Sequence, residues 1–179
     1  MRKYLRRRVT MAVVTGLVAT FGVGMAGVAL AAGPDEGPVA QEAHAEAPTP
    51  GTPCSTSARA CVDLESQRAW LIQGGTVSYG PVPIASGGAG KETPLGHSFR
   101  VYRKDAEHKS QEFNDAPMPW SVFFADGGVA FHGGDRNRSS GGCVKLDPDP
   151  AQKFFGDLAE GDKVQVVNAS AENAARNPG

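Results

Sequence analysis

A glycine-rich loop between two short apolar runs most constrains how this chain can fold. Residues 129–131 and 143–146 have the composition of strand ends, and His132 and Cys143 lie where these runs meet the loop. Glycines in the loop let the backbone turn sharply, so Cys143 can return to the neighbourhood of His132 although eleven positions separate them. The sequence therefore predicts paired strands that bring a thiol and an imidazole together.

A thiol beside an imidazole is suited to acyl transfer. The thiolate is the nucleophile, and because a free cysteine has a pKa about one to two units above neutral pH, an adjacent base must take its proton. His132 is the candidate base for Cys143. The backbone N–H groups of Gly141, Gly142 and Cys143 can converge on one point because glycine has no Cβ, which predicts an oxyanion hole.

Charge is distributed unevenly along the chain. The first ten residues hold five basic side chains and no acidic one, and without them the chain has 13 Lys and Arg against 19 Asp and Glu, a net charge of −6. This acidic balance argues against nucleic acid as a partner. The glycine-rich residues 86–91 lack the Gly-Lys-Ser/Thr ending of a phosphate-binding loop, and we predict no cofactor.

The first 31 residues have the pattern of an export signal. A basic start is followed by an apolar stretch over residues 11–30, and Ala29 and Ala31 are the small residues that a signal peptidase requires, which predicts cleavage after Ala31. The alternative is an uncleaved anchor, and only then would the protein be held in the membrane. We therefore expect the remaining chain outside the cytoplasm, in the cell wall or at the outer face of the membrane.

Residues 32–56 are rich in Pro, Ala and Glu and carry almost no large apolar side chain. This composition predicts an extended linker in which His44 is solvated. Cys54 and Cys61 are the natural disulfide pair among the three cysteines of an exported chain. Cys143 is then a free thiol, for which we favour a reactive role over a buried structural one.

The domain predicted over residues 57–168 consists mainly of strands. Gly74-Gly75 predicts one tight hairpin, and residues 126–128 predict a second that delivers His132 to a strand end. Asp147-Pro148 predicts the start of one short helix that covers the sheet, and a closing strand follows over residues 163–167. Residues 169–179 are polar and are predicted to form a flexible tail.

Three segments together resemble a known family. Phe131-His132-Gly133 followed by Ser140-Gly141-Gly142-Cys143-Val144-Lys145-Leu146 resembles the His-Gly … Ser-x-Gly-Cys-Val-x-Leu signature of the L,D-transpeptidase (YkuD-like) catalytic domain. Thr93-Pro94-Leu95-Gly96 and Pro117-Met118-Pro119-Trp120 resemble further segments of its short exported bacterial members. The resemblance implies a mainly β fold, an L,D-transpeptidase-like β-sandwich with one short covering helix.

The sequence departs from the family pattern at three places. Gly141 stands where most members have a histidine, Lys145 stands where arginine is frequent, and one extra residue precedes Phe99, which predicts a bulge. The first departure is compatible with activity because the general base of the family corresponds to His132.

The resemblance implies a transpeptidase that forms 3→3 cross-links between peptidoglycan stem peptides. Cys143 is then the acylated nucleophile, and the Gly133 carbonyl or another main-chain acceptor orients His132. The implied substrate contacts are Trp120, Ser140 and Lys145. The family also implies that carbapenem-type inhibitors acylate the cysteine.

The sequence leaves several alternatives open. With water as acceptor the same site is an L,D-carboxypeptidase, and a third reading is an inactive peptidoglycan-binding or structural wall protein on the same fold. A zinc hydrolase would use His97, His132, Asp135 and Cys143, but their spacing matches no zinc motif, so we predict no metal site. At the level of single residues, Trp120 either covers the substrate groove or packs in the core, and His97 is expected on a surface turn. Arg136 and Arg138 either hold stem carboxylates or are solvated loop charges.

Overall fold

A computed structural model of the protein describes residues 37–179. In chain order the elements are α1 (Pro38–Ala45), β1 (Ala60–Asp63), β2 (Arg68–Gln73), β3 (Thr76–Pro83), β4 (Gly96–Arg100), β5 (Arg103–Ser110), β6 (Ala116–Ala125), a 3₁₀ turn (Asp126–Gly128), β7 (Val129–Gly133), β8 (Val144–Leu146), α2 (Pro148–Asp157), β9 (Lys163–Val167) and α3 (Ala169–Arg176). No helix among residues 37–179 is both long and apolar enough to span a membrane. The predicted signal segment, residues 1–31, lies outside the described residues.

Two sheets enclose the main hydrophobic core. One has five strands in the order β3-β2-β1-β9-β4, and the other has four in the order β5-β6-β7-β8. Leu71 and Val164 of the first sheet belong to the same buried cluster as Val122 and Phe131 of the second. Each buried aliphatic or aromatic side chain contributes about 1.5–3 kcal/mol. The predicted mainly β, two-sheet fold is confirmed.

Glycines close both predicted hairpins. β2 pairs with β3 through Gln73 and Thr76, with Gly74 and Gly75 between them at φ 58° and 75°. β6 pairs with β7 across the 3₁₀ turn, where Gly127 and Gly128 have φ 75° and 78°. Only glycine adopts these values without steric cost, so both hairpins follow from local sequence.

Helix α2 is the predicted covering helix. It packs against β6, β7 and β8, and it buries Ala151 and Phe154. The Phe154 ring lies 5.1 Å from that of Phe131, the residue before His132. The helix therefore supports the strand that carries the imidazole.

The linker and the tail differ from the prediction. Residues 38–45 and 169–176 are helices rather than extended or frayed chain, and α1 packs against both α3 and β4. Their composition offers little apolar area, but Glu172 is buried and hydrogen-bonded to His44, which is therefore not simply solvated. The physical reason is a polar network formed with the rest of the domain, which neither segment has on its own.

A disulfide and a buried glutamine hold the chain between α1 and β1. Cys54 and Cys61 form the predicted disulfide. The Ser55 N–H donates to Oε1 of Gln165 over 2.8 Å, and Gln165 is fully buried in β9. Residues 48–61 are thus fastened to the five-stranded sheet.

The expectation for His97 is wrong. The register between β4 and β9 shifts between Gly96 and Phe99, as the extra residue there predicted. Within this irregularity His97 turns inward and is only 4% exposed. A bulge reverses the face on which a side chain lies, which is why a histidine expected at the surface is buried.

Candidate active site

Parallel pairing of β7 with β8 brings the two reactive residues to one cavity. His132 is the register partner of Lys145, and Phe131 is that of Val144, so Cys143 enters β8 beside the middle of β7. Side chains two positions apart share a face, which places Cys143 with Lys145 and His132 with Ala130. His132 and Cys143 both line a cavity of about 760 Å³.

The imidazole of His132 is held in one tautomer. Its Nδ1 lies 2.9 Å from the carbonyl oxygen of Gly133, and because a carbonyl can only accept, Nδ1 carries the proton and Nε2 is the free base. Burial lowers the pKa of His132, and the positive charge of Lys145 and the nearby His108 lower it further, against the opposing effect of the Gly133 carbonyl. His132 is therefore neutral at neutral pH.

The thiol of Cys143 is partly buried. Its Sγ donates to the Gly128 carbonyl over 3.7 Å, and within residues 37–179 it makes no hydrogen bond to His132. Burial raises the pKa of the Cys143 thiol, against the opposing effects of the Ala130 N–H and of Lys145. The pair thus rests as a neutral thiol and a neutral imidazole.

The loop before Cys143 is fixed by hydrogen bonds that the sequence analysis did not identify. Gly142 has φ 116°, and its carbonyl accepts from the hydroxyl of Thr93 over 2.8 Å. Thr93 is 3% exposed, and its oxygen also accepts from the Gly87 N–H over 2.8 Å. Thr93 is the first residue of the Thr-Pro-x-Gly segment that resembles the family, and this resemblance is the sequence signal that points to it.

Among the described residues, the predicted oxyanion hole has two free N–H donors rather than the three that the sequence predicted. The Gly142 N–H donates to Ser140 Oγ over 3.1 Å, so it is already engaged. In the part of the chain that the structure describes, no hydrogen bond engages the N–H of Gly141 or of Cys143. These two groups are the candidates to bind an oxyanion.

Phe113 is a second residue that the sequence analysis missed. It lies at the tip of the β5–β6 hairpin, is 49% exposed and lines the same cavity as Cys143. A Cβ at Gly141 would lie 2.7 Å from the Cζ atom of Phe113. Lys91 lies 5.3 Å above the ring and pairs with Glu112. The absent side chain at position 141 therefore leaves room for an aromatic ring over the cleft.

The three predicted substrate contacts have different surroundings. Ser140 lines the cavity, but its hydroxyl donates to the Cys143 carbonyl and accepts from Gly142, so it shapes the loop. Lys145 also lines the cavity, and its ammonium donates to the carbonyls of Arg138 and Ser139 over 3.0 and 3.1 Å. Both side chains are committed to holding the loop.

Trp120 is not among the residues that line this cavity. Its backbone is left-handed, with φ 61°, and its ring lies 5.4 Å from that of Phe155. Phe155 belongs to α2, so this placement agrees with the alternative that Trp120 packs against the domain core rather than over the groove.

The remaining charged candidates differ in whether they are free to contact a substrate in the cavity. Arg136 donates to both carboxylate oxygens of Asp147 over 2.8 and 2.7 Å and is not free for a substrate, whereas Arg138 lines the cavity. His97 does not line it and instead contacts Glu172. Of the four residues of the zinc-hydrolase alternative, His132, Asp135 and Cys143 line this cavity and His97 lies apart from them.

Comparisons with known proteins agree with this architecture. A sequence model described as the L,D-transpeptidase catalytic domain, YkuD, matches residues 57–166. No curated protein is similar enough to be matched to this chain.

Solved structures give the same result. An L,D-transpeptidase from Stackebrandtia nassauensis is 29% identical, with a TM-score of 0.57 over 61% of this chain and 54% of its own. One from Enterococcus faecium is 26% identical, with a TM-score of 0.55 over 62% of this chain and 50% of its own. An L,D-transpeptidase in complex with imipenem is 21% identical, with a TM-score of 0.55 over 60% of this chain and 57% of its own, and shows the fold alone.

The matched region spans about half the length of these solved neighbours. The family match covers more than half of the present chain, and the described fold is similar to that of these neighbours. This chain belongs to the L,D-transpeptidase catalytic-domain family.

Proposed function

We propose that this protein is an L,D-transpeptidase that forms 3→3 cross-links in peptidoglycan through a thioester on Cys143. The observation that carries the proposal is the shared cavity of Cys143 and His132, in which hydrogen bonding of Nδ1 to Gly133 leaves Nε2 as a base. A cavity of about 760 Å³ is large enough for a segment of a peptide stem.

The first step is acylation of the cysteine. Nε2 of His132 takes the thiol proton while Sγ attacks the carbonyl that joins the third residue of a tetrapeptide stem to its terminal D-alanine. The developing oxyanion accepts hydrogen bonds from the N–H groups of Gly141 and Cys143, each worth roughly 3–4 kcal/mol in the transition state. The C–N bond then breaks, the imidazolium returns its proton to the departing amine, and D-alanine leaves a thioester.

The second step transfers the acyl group. The side-chain amine of a neighbouring stem attacks the thioester carbonyl, His132 takes a proton from that amine, and the same proton returns to the departing thiolate of Cys143. An amide between two third-position residues results. If water attacks instead, the product is a tripeptide stem, which is the carboxypeptidase outcome.

The same chemistry extends to carbapenems. We propose, from the family to which the chain belongs, that a carbapenem binds this cavity. The thiol of Cys143 adds to the β-lactam carbonyl, the ring C–N bond opens, and the ring nitrogen takes the proton from His132. The adduct therefore adds the whole mass of the inhibitor. Since stem peptides lie outside the cytoplasm, we also propose that the protein acts there after export.

Intact-protein mass spectrometry with a carbapenem tests the nucleophile. A single adduct is expected on the wild-type protein and none on Cys143→Ala. An adduct that survives this substitution would remove Cys143 from the role, and no adduct on the wild type would favour an inactive wall-binding protein. Activity abolished by a chelator would favour a metal-dependent hydrolase.

Incubation with purified tetrapeptide stems separates the two enzymatic outcomes. A transpeptidase yields a product with the mass of two stems less one D-alanine. A carboxypeptidase yields only the tripeptide stem and free D-alanine.

A further inference from the structure

A second cluster of reactive side chains lies apart from the catalytic cleft. His44 of α1, His97 of β4 and Glu172 of α3 place one ligand atom each within 4.8 Å of one another. None of the three lines the cavity that holds Cys143. β4 belongs to the five-stranded sheet, whereas the catalytic strands β7 and β8 belong to the other.

The three ligand atoms of this cluster lie close enough together to contact one ion. Nε2 of His44 and Nε2 of His97 lie 3.2 and 2.5 Å from the same oxygen of Glu172, Oε1. Ligand atoms bound tetrahedrally at about 2.0–2.1 Å from Zn²⁺ lie roughly 3.3 Å apart. Binding of an ion therefore requires the His97 nitrogen to move away from Glu172 Oε1 by less than about 1 Å and the two nitrogens, which lie within 4.8 Å of each other, to reach the same spacing.

The second carboxylate oxygen is oriented separately. Oε2 of Glu172 lies 3.6 Å from an amino group of Arg176, whose other amino group donates to the carbonyl of Glu46. Oε2 of Glu172 is buried and makes no hydrogen bond in the described part of the chain, so the charge of Arg176 is its nearby compensation, while Oε1 contacts the histidines.

The cluster is accessible from solvent on one side. His44 and Arg176 line a second cavity, of about 350 Å³, whose wall also includes Thr49. Thr49 is fully buried, and its hydroxyl has no hydrogen-bond partner in the described part of the chain. His44, which is 16% exposed, therefore connects the cluster to this cavity and gives an ion a route of entry, whereas His97 and Glu172 do not line the cavity.

We propose that His44, His97 and Glu172 bind a divalent cation of the zinc class, which fastens helices α1 and α3 to strand β4. Two imidazoles and one carboxylate favour Zn²⁺ over Mg²⁺ or Ca²⁺, which prefer oxygen ligands alone. Glu172 lies 128 residues after His44 and 75 residues after His97 in the sequence. The ion therefore ties both ends of the described chain to the domain. The site goes beyond the transpeptidase reaction and contributes no group to it.

The test is isothermal titration calorimetry, in which Zn²⁺ is added to the metal-stripped full chain. Cys143→Ala is the background, because the catalytic thiol and His132 would otherwise offer a competing zinc site. One equivalent is expected to bind with a dissociation constant in the micromolar range or tighter. His44→Gln and Glu172→Gln are each expected to weaken binding by at least about tenfold. His108→Gln is the matched control. His108 is also hydrogen-bonded to a carboxylate, that of Asp105, but it lies outside the cluster, so this variant should bind Zn²⁺ as tightly as its parent.

A second experiment needs no substitution of His44, His97 or Glu172, so it works even if such variants fail to fold. The chain has four histidines, and NMR of the Cys143→Ala protein should show that Zn²⁺ shifts the ring signals of two of them. The signals of His108 and His132, assigned by substitution, should stay in place. The proposal is overturned by the absence of saturable one-to-one binding, by shifts at His108 or His132 instead, or by folded His44→Gln and Glu172→Gln variants that bind as tightly as their parent.

Discussion

The ring of Phe113 occupies the space that a side chain at position 141 would need. The distance from Cζ of Phe113 to a Cβ built on Gly141 would be 2.7 Å, which real side chains do not tolerate. Because the Gly141 N–H is a candidate donor to the oxyanion, the position of this ring and the geometry of the donor are coupled.

The first prediction concerns this coupling. Gly141→Ala should displace the half-exposed ring of Phe113 and slow acylation of Cys143 by a carbapenem by roughly twofold, because a shift at an exposed side chain costs about 0.5 kcal/mol. Phe113→Ala in the same chain should restore most of the rate. Gly156→Ala is the control, since a Cβ there meets nothing within 4 Å. Equal rates for Gly141→Ala with and without Phe113 would contradict the coupling.

The second prediction concerns pH. The pKa of His132 is lowered by burial, so the neutral base persists below the ordinary value of about 6.5 and the acylation rate should fall only as pH drops through the lowered pKa. The pKa of Cys143 is raised by burial, so the rate should stay nearly flat between about pH 7 and 9. Stopped-flow acylation from about pH 4 to 9 measures both the acidic fall in rate and the flat region. A rate that rises tenfold per pH unit over that interval would indicate that free thiolate, rather than the neutral pair, reacts.

The pH dependence of protein stability provides an independent check on the lowered pKa of His132. Since the folded pKa of His132 is depressed, its contribution to the free energy of unfolding is fully present above about pH 6.5 and is lost as pH falls through the folded pKa. Denaturant titrations of wild type and His132→Gln should therefore converge as the solution becomes acidic. A difference that is independent of pH would contradict the burial of a neutral imidazole.

The catalytic loop could be predicted from the sequence because its determinants are local. Apolar runs define β7 and β8, and glycines close the hairpins and permit φ 116° at Gly142. Trp120 could not be placed in this way. A strand aromatic can face either side of a sheet, and the left-handed backbone at Trp120 directs its ring to Phe155.

The polar cluster of His44, His97 and Glu172 was also beyond prediction. These residues are joined only in the tertiary structure, and a bulge in β4 decides that His97 faces inward. The composition of residues 32–56 predicts an extended linker, and it gives no indication that packing on the rest of the domain forms a helix over Pro38–Ala45.

The third prediction concerns Thr93. Thr93→Val keeps the shape but leaves the Gly87 N–H without its acceptor and the Gly142 carbonyl without its donor, which should lower the free energy of unfolding by about 2 kcal/mol. Loss of the loop geometry should also slow acylation by at least about tenfold. Denaturant unfolding and carbapenem acylation measure the two effects. Thr76→Val is the control, because the Thr76 hydroxyl is exposed and should contribute within about 0.5 kcal/mol. Similar behaviour of the two variants would mean that Thr93 does not position the loop.

The last prediction concerns Lys145, which acts on the site in two ways. Its ammonium holds the carbonyls of Arg138 and Ser139, and its charge contributes to the lowered pKa of His132. Lys145→Met should therefore slow acylation and also move the acidic limb of the pH profile to higher pH, because the positive charge that opposes protonation of His132 is gone. Lys145→Arg should keep the acidic limb in place, since the charge remains. Lys153→Met, which removes an exposed lysine paired with Asp157 on α2, is the control and should change neither quantity. A loss of rate without movement of the acidic limb would show that Lys145 only holds the loop.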